Sequence, residues 1–538
     1  MHGSGAAARV SKTYNKVEMR KLACLMLLLQ CSGLGAEESF DPIRAQIEKA
    51  RREENIPAIA VAVARHGKIL WQEGFGWADR ENRIPANEHT MFSLASISKP
   101  ITATGLMILV QAGKIQLDRP INDYLGTAKL QARVGNARDA TVRRVAAHTS
   151  GLPMHYQFFF VDELYRRPSM DETILRYGNL VTAPGQHYTY SNLGYGVLGY
   201  VIERVSGLSY AQFMRKELFL KLGMMHTSID LAPGLDKFQA IRYDSNGTPL
   251  PFYDFDHPGA SAVYASAHDL VRFGMFHLLD RLPDQSAVLS DASIVQMRPT
   301  VAGDAAEERD RGIGWYSADD TEYGYQVVSH SGGMPGVCTT LDLVPSEHIA
   351  VVVLSNTDCA DAIAAIRDSI FKALLPEWQN NNDAEAPPEA GTRNDIEKLR
   401  GGWEGSVHTY AAELPLRMEY LQDGDVHVRL GDQQMTLLSD ARFENNRLTG
   451  TMTGNIHTGD ANRHPDYILR FALRRQDNVL NGGVIATSSR RDARHDFATT
   501  QWAELRKVPP AAARPRQCNA AANSGNESNI SPIVYPDF

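Results

Sequence analysis

The chain has 538 residues, is 43% hydrophobic and 22% charged, and carries a formal net charge of -8. That length exceeds what one compact core sustains, so two or more domains are expected. The acidic balance, with no basic patch interleaved with aromatics, argues against nucleic acid or an anionic membrane surface as partner.

Met19-Arg20-Lys21, the apolar run Leu22 to Leu29 and the small residues ending at Gly35-Ala36 give the charged, apolar and small order of a secretory signal, cleaved after Ala36. The run is too short for a permanent membrane span, so no integral membrane segment is expected after signal removal. Residues before Met19 read as an upstream extension, and Gln30 before Cys31 is too large for a lipoprotein site. A periplasmic or secreted location follows as an expectation. Of the five cysteines, Cys338, Cys359 and Cys518 lie beyond this segment, without disulfide framework or zinc spacing.

Phe40 to Ile56 has apolar residues at helical spacing, and residues 57–79 read as two strands around a turn at Arg65 to Lys68. Ile101 to Ile115 reads as a buried helix, and shorter helices are predicted at Val142 to His148, Glu172 to Tyr177, Leu193 to Val205, Ala211 to Leu220 and Ala267 to Leu278. Tyr156, Phe158, Phe159 and Phe160 form an aromatic run read as core packing ahead of its alternative, the lining of a substrate groove. Residues 325–357 predict an antiparallel strand pair turning at Pro345 to His348, followed by a helix from Ala360 to Leu375. The predicted domains are 1–36, extension and signal; 39–375, a catalytic domain; 376–395, a polar linker; 396–507, alternating short strands forming a small all-β antiparallel barrel; and 508–538, a tail poor in large apolar residues.

The chemistry is carried by "SISK". A serine hydroxyl becomes nucleophilic when a base is at hand, and Lys99 lies three residues after Ser96, one turn along a helix face. A helix start also aims N–H groups at developing negative charge. The spacing alone is weak, because Ser369 and Lys372 repeat it inside an ordinary amphipathic helix. Three further stretches follow in order: "HTSGLP" (His148 to Pro153), "PGQHYTYSNLGYGVLG" (Pro184 to Gly199) and "VVSHSGGMPGV" (Val327 to Val337).

With Ser96 and Lys99, these motifs resemble the serine β-lactamase and penicillin-binding-protein superfamily, in its class C-like branch of D,D-peptidases, D-aminopeptidases, esterases and β-lactamases. The resemblance covers about Ile43 to Leu374. It implies an α+β fold, an α/β sandwich with an antiparallel sheet and a helical subdomain, here followed by the barrel, which would be lipocalin-like. It implies Ser96 as acylated nucleophile, Lys99 as assisting base, Tyr190 as proton shuttle activated by that lysine, and Asn192 bound to the substrate amide and to Lys99. His330 would stand where many relatives have lysine, Ser331 and Gly332 would follow it on the substrate-pairing strand, and the N–H groups of Ser96 and Gly333 would form the oxyanion hole. Two decoys are set aside: Tyr177-Gly178-Asn179 lacks the flanking turn and Gly-spaced helix, and His257-Pro258-Gly259 puts a proline where a strand N–H is required. His148 reads as ordering its turn. The expected activity is hydrolysis of an amide, β-lactam or D-amino-acid peptide, or of a carboxylic ester, with no cofactor or metal. The rival reading is a ligand-binding or sensing protein.

Overall fold

The computed structural model describes residues 39–298, 312–318, 324–375, 377–378, 398–422, 424–464, 467–489 and 494–509. The expected signal segment, Cys518, most of the linker and the tail beyond 509 lie outside them. No helix among the described residues is long and apolar enough to cross a membrane.

A seven-stranded sheet organises the first domain. In spatial order its strands are Tyr316–Ala318, Val327–Met334, Val337–Val344, Ile349–Ser355, Ala58–Arg65, Lys68–Asp79 and Ile84–Pro85. Ala58–Arg65 is nearly all aliphatic because both its faces are covered. Ile59, Val61 and Val63 pack on one core with Ile43 and Ile47 of helix Asp41–Glu53 and with Ile363 and Ile366 of helix Ala360–Leu374. The alternate residues Ala58, Ala60, Ala62 and Ala64 face a second core with Leu270, Val271 and Phe273 of helix Ala267–His277. The period of two thus assigns each face its own helices.

Residues 327–355 form three strands where two were expected. A tight turn at Pro335-Gly336, with Gly336 in the left-handed region at φ +71°, reverses the chain before Val337. Pro335-Gly336 is itself a turn signal, passed over in favour of the later turn at Pro345 to His348. The predicted Ala211–Leu220 helix is Tyr210–Met214 continued by a wider π-type turn, Arg215–Phe219.

The second domain is an antiparallel sheet running in space from Thr436–Leu437 through Val426–Leu430, Glu413–Tyr420, Gly401–His408, Phe497–Lys507, Val479–Ser488, Tyr467–Gln476 and Arg447–Thr453 to Ser439–Glu444. Its two edge strands are chain neighbours, so the sheet nearly closes into the expected barrel, around Trp403, Met418, Leu469 and Leu505. The barrel is also stitched to the first domain. Strand Tyr156–Phe160, the aromatic run, pairs with the barrel's last strand (Gln157 with Phe497, Tyr156 with Ala498) and with Tyr253–Phe255. Asp460 of the barrel, fully buried, accepts hydrogen bonds from the Tyr165 and Tyr177 hydroxyls and from Arg176 Nη1 at 3.2 Å. A buried carboxylate persists only with such partners, and Tyr177, the decoy tyrosine, is committed here.

Candidate active site

Ser96 sits in a single 3-10 turn, Ala95–Ile97, that feeds helix Ser98–Gln111. Ala95 adopts φ +47°, a left-handed conformation that an alanine holds only under constraint from its surroundings. Of the three serines at 93, 96 and 98, Ser93 is buried and the Ser98 hydroxyl accepts from the Val263 N–H at 3.0 Å. Ser96 alone reaches the cleft.

Lys99 Nζ donates to Ser96 Oγ at 3.0 Å and to the Ala260 carbonyl at 3.2 Å. The lysine is fully buried, and desolvation pushes its pKa well below the usual 10.5. Burial disfavours the charged ammonium, so the group beside the hydroxyl has the character of a neutral amine, a base.

Tyr190 contacts the same oxygen. Its hydroxyl hydrogen-bonds Ser96, and its ring face lies 4.7 Å from Lys99 Nζ. Burial raises the Tyr190 pKa above its ordinary value, outweighing the Ser96 bond that lowers it, a direction opposite to the activation expected from Lys99. The two shifts run in opposite senses: burial favours the protonated phenol at Tyr190 and the neutral amine at Lys99.

Ser191 explains why Tyr190 and Asn192 both face the cleft. Its hydroxyl caps helix Asn192–Ser206 by accepting from the Gly194 N–H at 3.1 Å, which turns its own side chain away. His148 Nδ1 accepts from the Ser191 N–H at 3.0 Å, the turn-ordering role read for it. Asn192 does not hold Lys99. Its Nδ2 faces Met154 Sδ at 3.9 Å, and its Oδ1 is buried with no hydrogen-bond partner among the described residues, leaving an acceptor for a substrate N–H.

Strand Val327–Met334 forms the facing wall. His330 is buried, stacked on Tyr316 with centroids 4.6 Å apart, and its Nδ1 lies 2.7 Å from the Ser331 carbonyl. A Cβ on Gly332 would come 2.2 Å from the Leu94 carbonyl, so only glycine lets this strand pass the turn that carries Ser96. A Cβ on Gly333 would meet nothing within 4 Å. Its openness belongs to whatever enters the cleft. Ser331 is exposed beside it.

These groups meet at a cavity of about 230 Å³, lined in part by Ser96, Tyr190, Asn192 and Gly333 and by Tyr156 and Phe158 of the aromatic strand. The lining also includes His257, set aside in the sequence as part of a rejected triplet, and Asp496, which the sequence reading did not single out. His257-Pro258-Gly259 is not a strand triplet: Pro258 opens the short helix Pro258–Ser261, consistent with rejecting it on the missing N–H. Asp496 comes from the barrel, just before its last strand, and no local pattern could announce it. Its carboxylate accepts from the Tyr156 hydroxyl at 3.0 Å, and burial raises its pKa. A larger cavity, about 640 Å³, opens on the barrel among Gln433, Asn455, His464 and Tyr467, without a nucleophile–base pair. The "SIFK" pair is a surface feature: Lys372 binds Asp368 at 2.7 Å on helix Ala360–Leu374.

The family model described as Beta-lactamase matches residues 43–372, more than half of the chain. Penicillin-binding protein 4* of Bacillus subtilis (strain 168) is 29% identical over 321 residues, which span 55% of this chain and 68% of that protein. Protein flp of Staphylococcus aureus (strain N315) is 26% identical over 328 residues, 60% of this chain and 63% of its own length. Among solved structures, the octameric penicillin-binding protein homologue from Pyrococcus abyssi superposes with a TM-score of 0.54 at 21% identity, covering 86% of this chain and 99% of that one. SurE with D-Leu gives 0.58 at 20% identity, covering 86% and 100%. Both structural likenesses extend past the first domain and concern the fold. By the family match and the serine–lysine geometry together, the chain belongs to the β-lactamase family, a family of largely hydrolytic serine enzymes.

Proposed function

We propose that this protein is an exported serine hydrolase working through an acyl-enzyme on Ser96. The observation that carries the reading is the fully buried, depressed-pKa Lys99 amine 3.0 Å from the Ser96 hydroxyl. In the first step Lys99 takes the Ser96 proton as Oγ bonds to the substrate carbonyl carbon. The N–H groups of Ser96 and Gly333 hold the resulting oxyanion. The tetrahedral centre collapses as the phenol of Tyr190 protonates the leaving group and recovers its proton from Lys99. Water then hydrolyses the ester on Ser96 and releases the acid.

The cleft's charges favour some substrates over others. A lysine in place of His330 would supply a permanent cation for a substrate carboxylate, whereas this imidazole is turned to the Ser331 carbonyl. The cavity wall holds a carboxylate instead, Asp496. An acidic ligand there meets like charge, and an amine finds a partner. The proposed substrates are therefore amides, peptides or esters bearing an amino group near the scissile carbonyl, ahead of carboxylate-bearing β-lactams. Turnover of D-alanyl p-nitroanilide, its N-acetyl derivative, p-nitrophenyl acetate and a chromogenic cephalosporin, in wild type and Ser96→Ala, tests this. Faster turnover of the amine, abolished by the substitution, supports it. Preference for the cephalosporin refutes the substrate assignment, and turnover surviving Ser96→Ala refutes the nucleophile. Labelling without turnover by any of these compounds points to a ligand-binding protein.

A further inference from the structure

Beside the cleft lies a set of buried polar groups that the acylation steps leave unused. Asp256, with a fully buried side chain, has Oδ1 2.7 Å from His257 Nδ1 and Oδ2 2.7 Å from His155 Nε2. Gln157 Nε2 donates to the same Oδ2 at 3.1 Å. The three ligand-type atoms lie within 4.8 Å of one another, as they could around a metal ion. However, two ligands each about 2.0–2.1 Å from a tetrahedral ion stand more than about 3 Å apart. The 2.7 Å contacts are hydrogen bonds, each with a proton between nitrogen and oxygen.

That assignment fixes the tautomers. Asp256 is held below the ordinary carboxylate range: burial acts to raise it, and His155 and His257 outweigh that. It therefore accepts, and both imidazoles donate. In His257 the proton is on Nδ1, and Nε2 carries a lone pair. Burial, the largest effect, keeps this imidazole below its ordinary pKa, hence neutral at pH 7. His155 has no such freedom, because its Nδ1 is buried and has no hydrogen-bond partner among the described residues. Only His257 of the pair lines the cavity that contains Ser96. The backbone ties it to the base as well, since the Ala260 N–H donates to the His257 carbonyl at 2.9 Å and the Ala260 carbonyl receives Lys99. Gly196 permits the approach: a Cβ there would come 2.8 Å from His257 Cα.

We propose that His257, oriented by Asp256, is the base that accepts a proton from the hydrolytic water in the deacylation step. This rests on the serine hydrolase reading above. The other candidates on that wall are less suited. Tyr190 is a phenol at rest, and Lys99 Nζ is engaged with Ser96 Oγ, the oxygen that carries the acyl group. Water oxygen bonds to the ester carbonyl carbon as one of its protons passes to His257 Nε2. Collapse breaks the bond from that carbon to Ser96 Oγ, and the proton on His257 returns to that oxygen. One water is consumed, one acid is released, and Ser96–OH and neutral His257 are restored. Asp256 is a positioning residue, holding the tautomer whose lone pair meets water.

Stopped-flow hydrolysis of p-nitrophenyl acetate, with intact-mass analysis of quenched enzyme, tests this. In His257→Gln and Asp256→Asn the acylation burst is expected to stay near one equivalent, while steady-state turnover falls about 100-fold or more and acetyl-Ser96 accumulates. Thermal melts report folding of each variant, and rates are taken per burst equivalent. Burst and steady-state rates falling together, or neither changing, would overturn the proposal. So would a deacylation defect in Asp496→Asn with His257→Gln unaffected, since the base would then be the barrel carboxylate. Failure of the underlying reading looks different: wild type itself shows neither burst nor adduct, or turnover survives Ser96→Ala.

Discussion

Replacing Lys99 by methionine separates what the lysine does for chemistry from what it does to stability. The unfolded chain holds this amine as an ammonium up to pH about 10.4, whereas the folded protein, by desolvation, holds it well below its usual value. The unfolded state therefore binds more protons, so wild-type stability rises with pH between the folded and unfolded pKa values. The slope in that window is at most about 1.4 kcal/mol per pH unit. Methionine is close in size, brings no proton to shed, and fits a site sealed from water. Lys99→Met is expected to be more stable than wild type at pH 7 by about 1–4 kcal/mol, as when buried charged groups give way to apolar ones. The gap should narrow by up to about 2.7 kcal/mol between pH 7 and pH 9. Acylation should fall by about 10²–10⁴-fold with the base gone. Urea unfolding followed by intrinsic fluorescence at several pH values, with stopped-flow acylation on the same samples, measures both. A variant less stable than wild type, or a stability gap flat with pH, would refute the buried-amine account.

Other positions give independent checks. Gly332→Ala places a Cβ 2.2 Å from the Leu94 carbonyl, so the strand must shift; the melting temperature and acylation should fall together. Gly333→Ala should leave the melting temperature within about 2 °C, as for a surface change, yet impair acylation by crowding the oxyanion. Asp460→Ala removes the partner of Arg176, Tyr165 and Tyr177 at the junction; a loss of about 3–5 kcal/mol and faster proteolytic cleavage between the domains are expected. Asp496→Asn should reduce turnover of the amine-bearing anilide relative to its N-acetyl derivative by about tenfold, one charge-assisted contact's worth, and an unchanged ratio would remove Asp496 from substrate selection.

The Ser96–Lys99 pair was legible because its relation is local: one helical turn places Lys99 against Ser96. The helical and barrel textures were legible for the same reason, since periodicity is a property of short stretches. What failed to show depends on distant packing. Burial, which no local pattern reports, raises the Tyr190 pKa, opposite to the direction expected from a neighbouring lysine. Lys99 takes its second acceptor from Ala260, far along the chain, while Asn192 Nδ2 faces Met154. Both readings of the aromatic run at 156–160 hold in part: Phe158, Phe159 and Phe160 are buried, and Tyr156 and Phe158 line the cavity. Asp496 reaches the cleft only because Tyr156–Phe160 pairs with the barrel's last strand, a contact more than three hundred residues apart in sequence. Asp256 and His257 were adjacent in view, yet their meaning depends on His155 arriving from the far side.

The central claim, that Ser96 is a nucleophile activated by Lys99, is tested most directly by peptide-mapped mass spectrometry after a fluorophosphonate probe. The account predicts a single stoichiometric adduct on Ser96, formed at least about 100-fold more slowly in Lys99→Met and absent from Ser96→Ala. An adduct on another serine, or labelling of Ser96 at an unchanged rate without Lys99, would contradict it.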